Sequence, residues 1–521
     1  MTPKPEPMNG AHSLVRTLID SGIDTCFANP GTSEMHFVAA LDRIPGIDCV
    51  LGLQENVVTG MADGYYRMTR RPAATLLHCG PGLMNGLANL HNAMRAGSGI
   101  VNIVGDHATH HAPFDPPLAQ DTDALARTVS SWVQTSQRSA DVGRDAATAV
   151  QEASRPGGGI ATLILPSDAS WNPGGQVASR LPVPGPPPLQ AQVIDAAARA
   201  LRDHGSEVLI LLGAEAALEA GQALAWRIAA ATGATAMVEF PCGRVARGRG
   251  RVPLPRVPYN IDMALAALDR FRTVVLVNAV PPVGFFAYPG KPSVLHRDDA
   301  VFHALARPEQ DALAALTALA EALGAPRTGF PDPGPRPDIV SGPATPEGLA
   351  RTLAAVLPDN AIVVDESVSF GRDFYAHTHA AAPHDWLHQS GGAIGIGMPL
   401  GAGAALGCGR DRRVVTLQAD GSGMYTLQAL WTQARERLPV TTVILANRRY
   451  DILIGEYANV GATPGPTAME MLDLGNPSLD WVTLARGMGV EAAQAATLER
   501  CADLMAQSFR SDTPFLIELL I

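Results

Sequence analysis

The sequence predicts an α/β fold of three domains in which parallel sheets are flanked by helices. Short apolar, β-branched segments alternate along the chain with longer segments of helical periodicity, and this alternation is typical of parallel β-α-β units. A length of 521 residues suits about three such domains. Two proline-rich segments, Pro173–Pro188 and Gly324–Pro346, indicate linkers. They divide the chain into residues 1–172, 189–324 and 345–521.

Composition narrows the class of protein. Hydrophobic residues make up 46% of the chain and charged residues 17%, which suits large buried sheets. The net charge of −11 gives no support for binding nucleic acid. The six cysteines are scattered without a CxxC pair, which argues against a disulfide scaffold and favours a reducing cytoplasm. The first ten residues, MTPKPEPMNG, lack the apolar core of a secretory signal, so a cytoplasmic location is expected.

One uncharged segment, Gly391–Gly409, could be mistaken for a membrane span. Eight of its residues are glycine and Pro399 lies in the middle, which is a poor composition for a helix that faces lipid. We therefore expect no membrane association. Close packing of this segment against a cofactor or another subunit is the expected explanation.

In the first domain, polar residues follow several predicted strands. The strands are Thr25–Ala28, Cys49–Leu53, Ala73–His78, Ile100–Gly105 and Ile160–Leu165, and the helices include Asn9–Asp20 and Asn56–Arg70. Thr32 and Ser33 lie in a turn after the first strand, where either could cap a helix. Glu55 follows the second strand, where it could be an ordinary carboxylate favoured by the helix dipole.

The segment Asp106–His111 contains an aspartate and three histidines. It leaves three interpretations open: a transition-metal site, a loop in which His110 meets substrate, or an exposed loop. The adjacent pair His110 and His111 is awkward geometry for one metal ion, which makes the first interpretation the weakest.

The second domain repeats the α/β alternation. Helices are predicted at Gln190–Gly205 and Ala217–Thr232, and strands at Glu207–Leu212 and Thr273–Val280. Such a domain could bind a dinucleotide, but the sequence carries no GxGxxG fingerprint there. FAD is therefore an option that the sequence does not favour.

The third domain contains the most informative segment, Val414–Asn447, after a predicted helix and strand at Thr345–Leu357 and Ala361–Val364. It predicts a strand, a helix and a second strand, with Asp420 after the first strand and Asn447 after the second. Ligands of parallel sheets bind beyond the carboxyl ends of the strands. Carboxylate and amide oxygens suit Mg²⁺, and the backbone after Asp420 suits an anion. The pattern fits either a metal–diphosphate site or an ordinary β-α-β unit.

These residues carry a resemblance to a known family. Asp420-Gly421-Ser422 followed by Asn447 is similar to the Gly-Asp-Gly…Asn-Asn motif of thiamin diphosphate enzymes, although Ala419 and Ala446 replace the first Gly and the first Asn. The stretch LQENVVTGMADGYYR resembles the one that carries the family's catalytic glutamate, which is Glu55 here. The chain as a whole resembles the 2-oxo acid decarboxylases and carboligases, especially acetolactate synthase large subunits and benzoylformate decarboxylase.

The resemblance implies a cofactor site for thiamin diphosphate and Mg²⁺ in a fold of pyrimidine, middle and diphosphate domains. The implied metal ligands are the side chains of Asp420 and Asn447 and the carbonyl of Arg449. Glu55 would hydrogen-bond N1′ of the aminopyrimidine, and Ile394 would lie beneath the thiazolium ring. The implied cofactor-binding residues are Glu55, Ser369, Gly392, Ile394, Asp420, Gly421, Ser422, Asn447 and Tyr450.

The resemblance also implies a catalytic set of Glu55, His78 and Thr32 and a substrate pocket. The implied pocket residues are Thr32, His78, His110, Phe285, Phe286, Ile452, Leu453 and Glu456. His78 matches a catalytic histidine of benzoylformate decarboxylase. The negative charge of Glu456 would either disfavour an anionic side group on the substrate or point to solvent.

The sequence favours decarboxylation of a small-molecule 2-oxo acid with carboligation to a second carbonyl, as in acetolactate synthase. Phe285 and Phe286 stand near the place where decarboxylases carry a further catalytic histidine, and apolar rings cannot deliver a proton. Simple decarboxylation of the benzoylformate decarboxylase type is the alternative, and a non-catalytic relative is a second one. Because the cofactor of this family spans two subunits, a homodimer or homotetramer with active sites between subunits is expected.

Overall fold

The computed structural model describes residues 7–372 and 374–521, which form two compact units. The first unit comprises the chain up to Gly185 together with Gly391–Asp411 and Thr426–Leu438. The second comprises Pro186–Ser390, Arg412–Tyr425 and Pro439–Ile521. Residues 1–6, on which the prediction about a secretory signal partly rests, lie outside the described residues.

The described strands confirm the predicted α/β class. In chain order they are β1 (Thr25–Ala28), β2 (Asp48–Leu51), β3 (Ala73–Leu77), β4 (Ile100–Asp106), β5 (Trp132–Thr135), β6 (Ile160–Pro166), β7 (Val208–Leu212), β8 (Thr235–Val238), β9 (Arg244–Arg247), β10 (Thr273–Val277), β11 (Val301–Ala306), β12 (Ala361–Glu366), β13 (His384–His388), β14 (Val414–Ala419), β15 (Val440–Ala446), β16 (Glu491–Ala495) and β17 (Phe515–Leu520). Several, such as β3 and β7, are buried along their whole length, as is usual when helices cover both faces of a parallel sheet.

The helices alternate with these strands. They are α1 (Gly10–Asp20), α2 (Met35–Arg43), α3 (Glu55–Thr69), α4 (Cys79–Arg95), α5 (Thr122–Arg127), α6 (Ser139–Ala153), α7 (Ser167–Trp171), α8 (Ala191–His204), α9 (Glu219–Thr232), α10 (Ile261–Leu268), α11 (Ala312–Ala322), α12 (Pro346–Val356), α13 (Phe374–His377), α14 (Gly397–Gly407), α15 (Asp420–Gly423), α16 (Ala429–Arg435), α17 (Asp451–Val460), α18 (Pro466–Met471), α19 (Trp481–Gly487) and α20 (Leu498–Ser508). Short 3-10 turns occur at Thr32–Glu34, Ala112–Phe114, Gly205–Glu207 and Ala214–Ala217. Among the described residues, we find no helix with the length and apolar character needed to cross a membrane.

Three sheets organise the two units. The first unit holds a parallel sheet in the order β2-β1-β3-β4-β6-β5. The second unit holds a four-stranded parallel sheet, β11-β10-β7-β8, and a seven-stranded sheet, β16-β17-β15-β14-β12-β13-β9. The sheets follow the three segments predicted from the linkers, with β9 as the exception, and the domain boundaries stay a prediction.

Strand β9 lies in the middle segment of the sequence but belongs to the seven-stranded sheet. It pairs antiparallel with β13, and the Arg244 guanidinium lies 3.1 Å from the Asp385 carboxylate across that pair. Arg247, at the end of β9, is buried against the ring of Tyr375. The sequence analysis did not predict this strand because four residues with two arginines carry no clear alternation of apolar and polar side chains.

The glycine-rich segment Gly391–Gly409 packs against a helix of the same chain, a partner that the sequence analysis missed. Helix α14, within this segment, crosses α3 in the first unit at very close range. A Cβ atom added at Gly64 would lie 2.2 Å from the Leu400 carbonyl oxygen, and one at Gly403 would lie 1.9 Å from the Met61 carbonyl oxygen. The glycines are therefore required because two helix backbones approach each other.

A half-buried carboxyl group lies at the carboxyl ends of the four-stranded sheet. Glu239 follows β8, and its Oε2 accepts a hydrogen bond from the Val280 amide at 3.3 Å. A Cβ atom at Gly213, after β7, would lie 2.3 Å from Glu239 Oε1, so the carboxyl group fits only beside a glycine. Burial raises the pKa of Glu239 to about 8, because removal from water disfavours the charged form.

We expect Glu239→Gln to change how stability depends on pH. A carboxyl group whose pKa is raised in the folded state leaves stability intact at low pH and removes it as the pH rises from about 4.5 to about 8. Over this range, the free energy of unfolding of the variant should therefore rise relative to that of wild type by up to roughly 5 kcal/mol. Denaturant unfolding at a series of pH values measures this, with Glu215→Gln, an exposed carboxyl group, as the matched control. A constant difference between Glu239→Gln and wild type would contradict the expectation.

Candidate active site

In the second unit, the structure brings the predicted metal ligands to one edge of the seven-stranded sheet. Strands β14 and β15 are parallel neighbours with Ala419 opposite Leu445, so both end at the same level. Asp420 is buried, and its Oδ2 accepts a hydrogen bond of 2.6 Å from the Arg448 amide, directly after Asn447. Its Oδ1 accepts from the Gly421 amide at 2.8 Å. Burial raises the pKa of the Asp420 carboxyl group, against the opposing effect of these two amides.

The loop after β15 places the other two predicted metal ligands. Asn447 Oδ1 accepts a hydrogen bond from the Arg449 amide at 3.1 Å. The backbone of Arg449 forms an isolated antiparallel β-bridge with that of Asp473. The Tyr450 amide, predicted to hold a diphosphate oxygen, donates to the Leu472 carbonyl at 2.9 Å. A diphosphate could use that amide only by sharing or replacing this bond, so this part of the assignment stays a prediction.

Residues at the start of α15 are also arranged for close approach. A Cβ atom at Gly421 would lie 2.6 Å from the Tyr450 ring, so this position requires glycine. The Ser422 hydroxyl accepts from Gln418 Nε2 at 2.6 Å, and the same Nε2 lies 3.0 Å from Glu366 Oε2. Gln418 and Glu366, both buried strand residues, thus orient Ser422, and the sequence analysis did not find them.

Ser369 lies on the loop after β12 and is half-buried. Val368 before it has a φ of 52°, a left-handed conformation that is rare for a β-branched residue. Such a conformation persists only where the surroundings fix it. The loop next to the metal-ligand edge is therefore a defined turn, and contact of Ser369 with a diphosphate stays a prediction.

In the first unit, the strand ends of β1, β3 and β4 gather around His78. His78 follows β3, and its Nδ1 lies 3.0 and 3.1 Å from the two carboxylate oxygens of Glu34. Glu34 lies after β1, is fully buried, and accepts a further hydrogen bond from the Gly31 amide at 2.7 Å. The His78 side chain is 22% exposed, so one side of the ring remains accessible. The sequence analysis assigned His78 but not its partner Glu34.

Two glycines make room for this pair. A Cβ atom at Gly105, at the end of β4, would lie 1.6 Å from Glu34 Oε1, and one at Gly31 would lie 2.2 Å from the His78 ring. Neither position tolerates a side chain while the pair stays in place. Glycine at these two strand ends is the sequence signal that could have revealed the buried glutamate.

Two further side chains complete the cluster around His78. The Ser33 hydroxyl lies 3.0 Å from His78 Nδ1 and 3.2 Å from the Cys79 sulfur, and it donates to Glu34. Thr32, the residue predicted for the pocket, is exposed at the start of the 3-10 turn. The hydroxyl that contacts the histidine is therefore that of Ser33. A substrate role for Thr32 stays a prediction. Burial raises the pKa of the Cys79 thiol to about 11.

Glu55 is the first residue of α3, after β2 on the same edge of the first sheet. The side chain of Gln54 caps the helix by accepting from the amides of Asn56 and Val57, which leaves the Glu55 carboxylate free for another task. Asn85 Nδ2 donates to Glu55 Oε2 at 3.1 Å. Glu55 is therefore a half-buried, oriented carboxylate at a strand end and not a helix cap.

The loop with Gly392 and Ile394 is anchored on α4 in the first unit. The Asn92 side chain binds both backbone groups of Ala393. Its Nδ2 donates to the Ala393 carbonyl at 2.8 Å, and its Oδ1 accepts from the Ala393 amide at 3.2 Å. His91 Nε2 lies 3.0 Å from the Gly391 carbonyl oxygen. Gly392 has a φ of 80°, and Ile394 is half-buried. The loop is thus firmly held, and its contact with a cofactor stays a prediction.

In the histidine-rich loop after β4, His110 and His111 are exposed and His107 is half-buried. The His110 side chain is 72% exposed, and its Nδ1 lies 3.8 Å from Asp168 Oδ2. His107 and His111 stack edge to face with ring centroids 5.8 Å apart. Among the described residues, the group suited to hold a metal through at least three His, Cys, Asp or Glu side chains is Glu34, His78 and Cys79, and not this loop. A pocket role for His110 stays a prediction.

The predicted pocket residues of the second unit form an aromatic surface and an exposed helix. Phe285 and Phe286 are 41% and 55% exposed, and their ring centroids lie 5.0 Å apart, with Tyr259 5.4 Å from Phe285. Ile452 is half-buried and Leu453 exposed on α17.

Glu456, also on α17, is half-buried, and its effect on the choice of substrate stays a prediction. It accepts a hydrogen bond from the Tyr288 hydroxyl, so its charge belongs to a contact between the helix and the loop that carries Phe285 and Phe286. Burial and this hydrogen bond raise the pKa of Tyr288 to about 12. Glu456 therefore positions the helix and is not an unpaired charge.

Comparisons with known proteins agree with this arrangement. Residues 8–127 match the N-terminal TPP binding domain of thiamine pyrophosphate enzymes, and residues 369–519 match the C-terminal TPP binding domain. The chain belongs to the thiamine pyrophosphate enzyme family, and within it to the group of 2-oxo acid decarboxylases and acetolactate synthase-like enzymes.

Full-length relatives carry two different names. The chain is 47% identical to a Mycobacterium tuberculosis protein provisionally named acetolactate synthase large subunit IlvX, over 99% of both chains. It is 29% identical to benzoylformate decarboxylase of Pseudomonas aeruginosa, over 96% of both chains. The structure of the thiamine diphosphate-dependent 4-hydroxybenzoylformate decarboxylase of Rhodococcus jostii RHA1 superposes with a TM-score of 0.84 at 25% identity, covering 98% of this chain and 99% of that one.

Proposed function

We propose that the protein is a thiamin diphosphate- and Mg²⁺-dependent decarboxylase that converts a small 2-oxo acid to an aldehyde. The observation that carries this proposal is the buried Glu34–His78 pair at the strand ends of the first unit. When bound, the cofactor supplies the carbon nucleophile and the electron sink on which a 2-oxo acid loses CO₂. The protein must hold the cofactor, tune its pyrimidine ring and move protons.

The edge formed by β14 and β15 fits the metal and the diphosphate. Asp420, Asn447 and the Arg449 carbonyl offer the hard oxygen ligands that Mg²⁺ prefers. A cation there would offset the cost of burying the Asp420 charge. Gly421 and Ser422 would face the diphosphate, with Ser369 on the neighbouring loop.

Glu55 would act on the aminopyrimidine of the cofactor. A carboxylate at the N-terminus of α3, oriented by Asn85 and not used as a cap, can hydrogen-bond a ring nitrogen and pass a proton to it. Gly392 and Ile394, on the loop anchored by Asn92, would support the same cofactor. The presence of Glu55, Asp420 and Asn447 argues against a non-catalytic relative.

His78 would deliver the proton that completes the aldehyde. Glu34 accepts from Nδ1, so it fixes the tautomer and stabilises the positive charge when the ring is doubly protonated. Nε2 is then the nitrogen that exchanges a proton with substrate. This arrangement supports protonation, whereas the sequence alone favoured carboligation.

Carboligation is the second candidate function. The exposed, mutually packed rings of Phe285 and Phe286 favour it, because an apolar wall slows protonation and can receive an acceptor carbonyl compound. The name of the relative with 47% identity points the same way. Both functions share the reaction up to the loss of CO₂. They differ in whether a proton or a second carbonyl compound is then added.

We also propose a homodimer or homotetramer in which residues of two subunits serve one cofactor, as the family resemblance implies. A cytoplasmic location and a small-molecule substrate belong to the same proposal. FAD is not required by any of the residues described above.

We expect Asp420→Ala to lose thiamin diphosphate binding in the presence of Mg²⁺. The carboxylate is the charged member of the proposed ligand set, so the affinity for the cofactor should fall at least about 100-fold. This exceeds the loss typical of residues that only hydrogen-bond to a metal ligand. Titration calorimetry measures this, with Asp503→Ala, an exposed carboxylate of α20, as the matched control. Unchanged affinity in Asp420→Ala would show that the metal site is elsewhere.

Glu55→Gln should keep the cofactor and lose turnover. The amide has the same shape but cannot relay a proton, and a loss of roughly 10²–10⁴-fold in kcat is expected. Calorimetry for cofactor affinity and CO₂ release for turnover separate the two effects. A variant rate within a few-fold of wild type would remove Glu55 from the mechanism.

The product distribution of His78→Ala tests the proton donor. With a panel of 2-oxo acids, with and without an acceptor aldehyde, wild type should release mainly free aldehyde. His78→Ala should form aldehyde roughly 10²–10⁴-fold more slowly and shift the remaining product toward ligation. Glu34→Gln should shift it in the same direction, and His204→Ala, an exposed histidine of α8, should not.

Mass spectrometry of the products quantifies this partition. Predominant ligation by wild type would support carboligation as the function instead. No CO₂ release from any 2-oxo acid by the loaded enzyme would contradict both candidates.

A further inference from the structure

We propose that Glu34, His78 and Cys79 form a binding site for a divalent cation of the zinc class, distinct from the proposed Mg²⁺ site. The three residues offer one oxygen, one nitrogen and one sulfur ligand, and these atoms all lie within 4.8 Å of one another. Mixed sulfur, nitrogen and oxygen ligands are those that zinc selects and that magnesium avoids. The site lies in the first unit, whereas the Mg²⁺ ligands lie in the second.

Two of the three distances between ligand atoms are close to those around a tetrahedral zinc ion. With Zn–S near 2.3 Å and Zn–N or Zn–O near 2.0 Å, sulfur and nitrogen ligands lie about 3.6 Å apart, and nitrogen and oxygen ligands about 3.3 Å apart. In the structure, Cys79 Sγ lies 3.7 Å from His78 Nδ1, and Nδ1 lies 3.0 Å from Glu34 Oε2. The ion therefore needs changes of only a few tenths of an ångström in these two distances.

Charge also favours a cation at this position. Glu34 is fully buried, and Asp106, at the end of β4, lies near enough to act electrostatically on both Glu34 and Cys79. A Zn²⁺ ion bound by one carboxylate, one thiolate and a neutral imidazole gives a site without net charge. The Cys79 proton passes to solvent when the ion binds, and the one proton of the neutral His78 ring moves from Nδ1 to Nε2.

Neighbouring groups hydrogen-bond to the ligands and hold them in place, as is usual in zinc sites. The Gly31 amide donates to Glu34 Oε2 at 2.7 Å, and the Ser33 hydroxyl lies 3.2 Å from Cys79 Sγ. Cys79 has a φ of 51°, an uncommon conformation that turns its side chain to the cluster.

The ion would act as a reversible inhibitor, a consequence that rests on the proposed role of His78. Zinc takes the place of the proton at Nδ1, so the hydrogen of the ring moves to Nε2 and stays there. A ring fixed in this form has neither a free Nε2 lone pair nor the charge that makes Nε2–H a good acid. The proton transfer to product then stops while cofactor binding in the second unit is unaffected.

Cobalt binding tests the site without reference to activity. The full-length protein, loaded with thiamin diphosphate and Mg²⁺ and freed of other metals, is titrated with Co²⁺. One equivalent should give a thiolate-to-cobalt charge-transfer band and the intense visible bands of tetrahedral Co²⁺, and Zn²⁺ should displace it. Absence of the charge-transfer band in the wild-type protein overturns the proposal.

Variants locate the ligands. Cys79→Ser should lose the charge-transfer band, and Glu34→Gln should weaken Zn²⁺ binding at least about tenfold. Cys49→Ser, an exposed cysteine, and His110→Ala, in the exposed histidine loop, are the matched controls and should bind as wild type does. Loss of binding in His110→Ala with retention in Cys79→Ser would place the metal in the loop and overturn the assignment.

Inhibition is measured separately. Zn²⁺ should inhibit CO₂ or aldehyde production by wild type, a chelator should restore it, and Cys79→Ser should resist at least tenfold higher Zn²⁺. Cobalt binding without inhibition would support the metal site and count against the role of His78. Inhibition that Cys79→Ser does not relieve would overturn the link between this site and catalysis.

Discussion

A buried carboxylate that accepts hydrogen bonds from backbone amides at the end of a parallel strand is the interaction on which both candidate sites depend. Asp420 accepts from the Arg448 and Gly421 amides in the second unit, and Glu34 accepts from the Gly31 amide in the first. Each carboxylate ties one strand end to the next loop and supplies negative charge in a place closed to water. A buried charge is unfavourable for folding unless it is paired. A metal ion, an imidazole or a proton can provide that pairing.

Parallel pairing explains why these carboxylates meet their partners. All carboxyl ends of a parallel sheet lie at one edge, so residues far apart in sequence become neighbours if their strands are adjacent. β14 lies beside β15, and β3 lies between β1 and β4. The chemistry of each site follows from strand order, and the sequence of each loop decides which atoms are offered.

The difference between the two sites is one of ligand hardness. Asp420, Asn447 and the Arg449 carbonyl offer oxygen alone, whereas the cluster around His78 adds nitrogen and sulfur. Magnesium prefers the first of these ligand sets and zinc the second. On these two proposals, one chain would keep two kinds of divalent cation apart by the ligand atoms that it places at two strand ends.

Much of this could be predicted from the sequence, and the failures have physical causes. The α/β class, the strand before Asp420 and the strand before Asn447 have strong local patterns, and the structure has them. Glu34 was missed because its burial depends on Gly105, a contact across two strands that no local pattern encodes. The same holds for the helix crossing of α3 and α14, which needs glycines from distant segments.

The sharing of the seven-stranded sheet by distant segments also limits how this protein can be recombined. Strand β9 comes from the middle of the chain, yet it closes the edge of the last sheet through β13 and through the contact of Arg244 with Asp385. A chimaera joined to a homologue within the second proline-rich linker would bring β9 and β13 from different parents. Evolution by exchange of whole gene segments therefore has to carry residues 244–247 together with the C-terminal part, or to preserve the arginine–aspartate match on both sides of the junction.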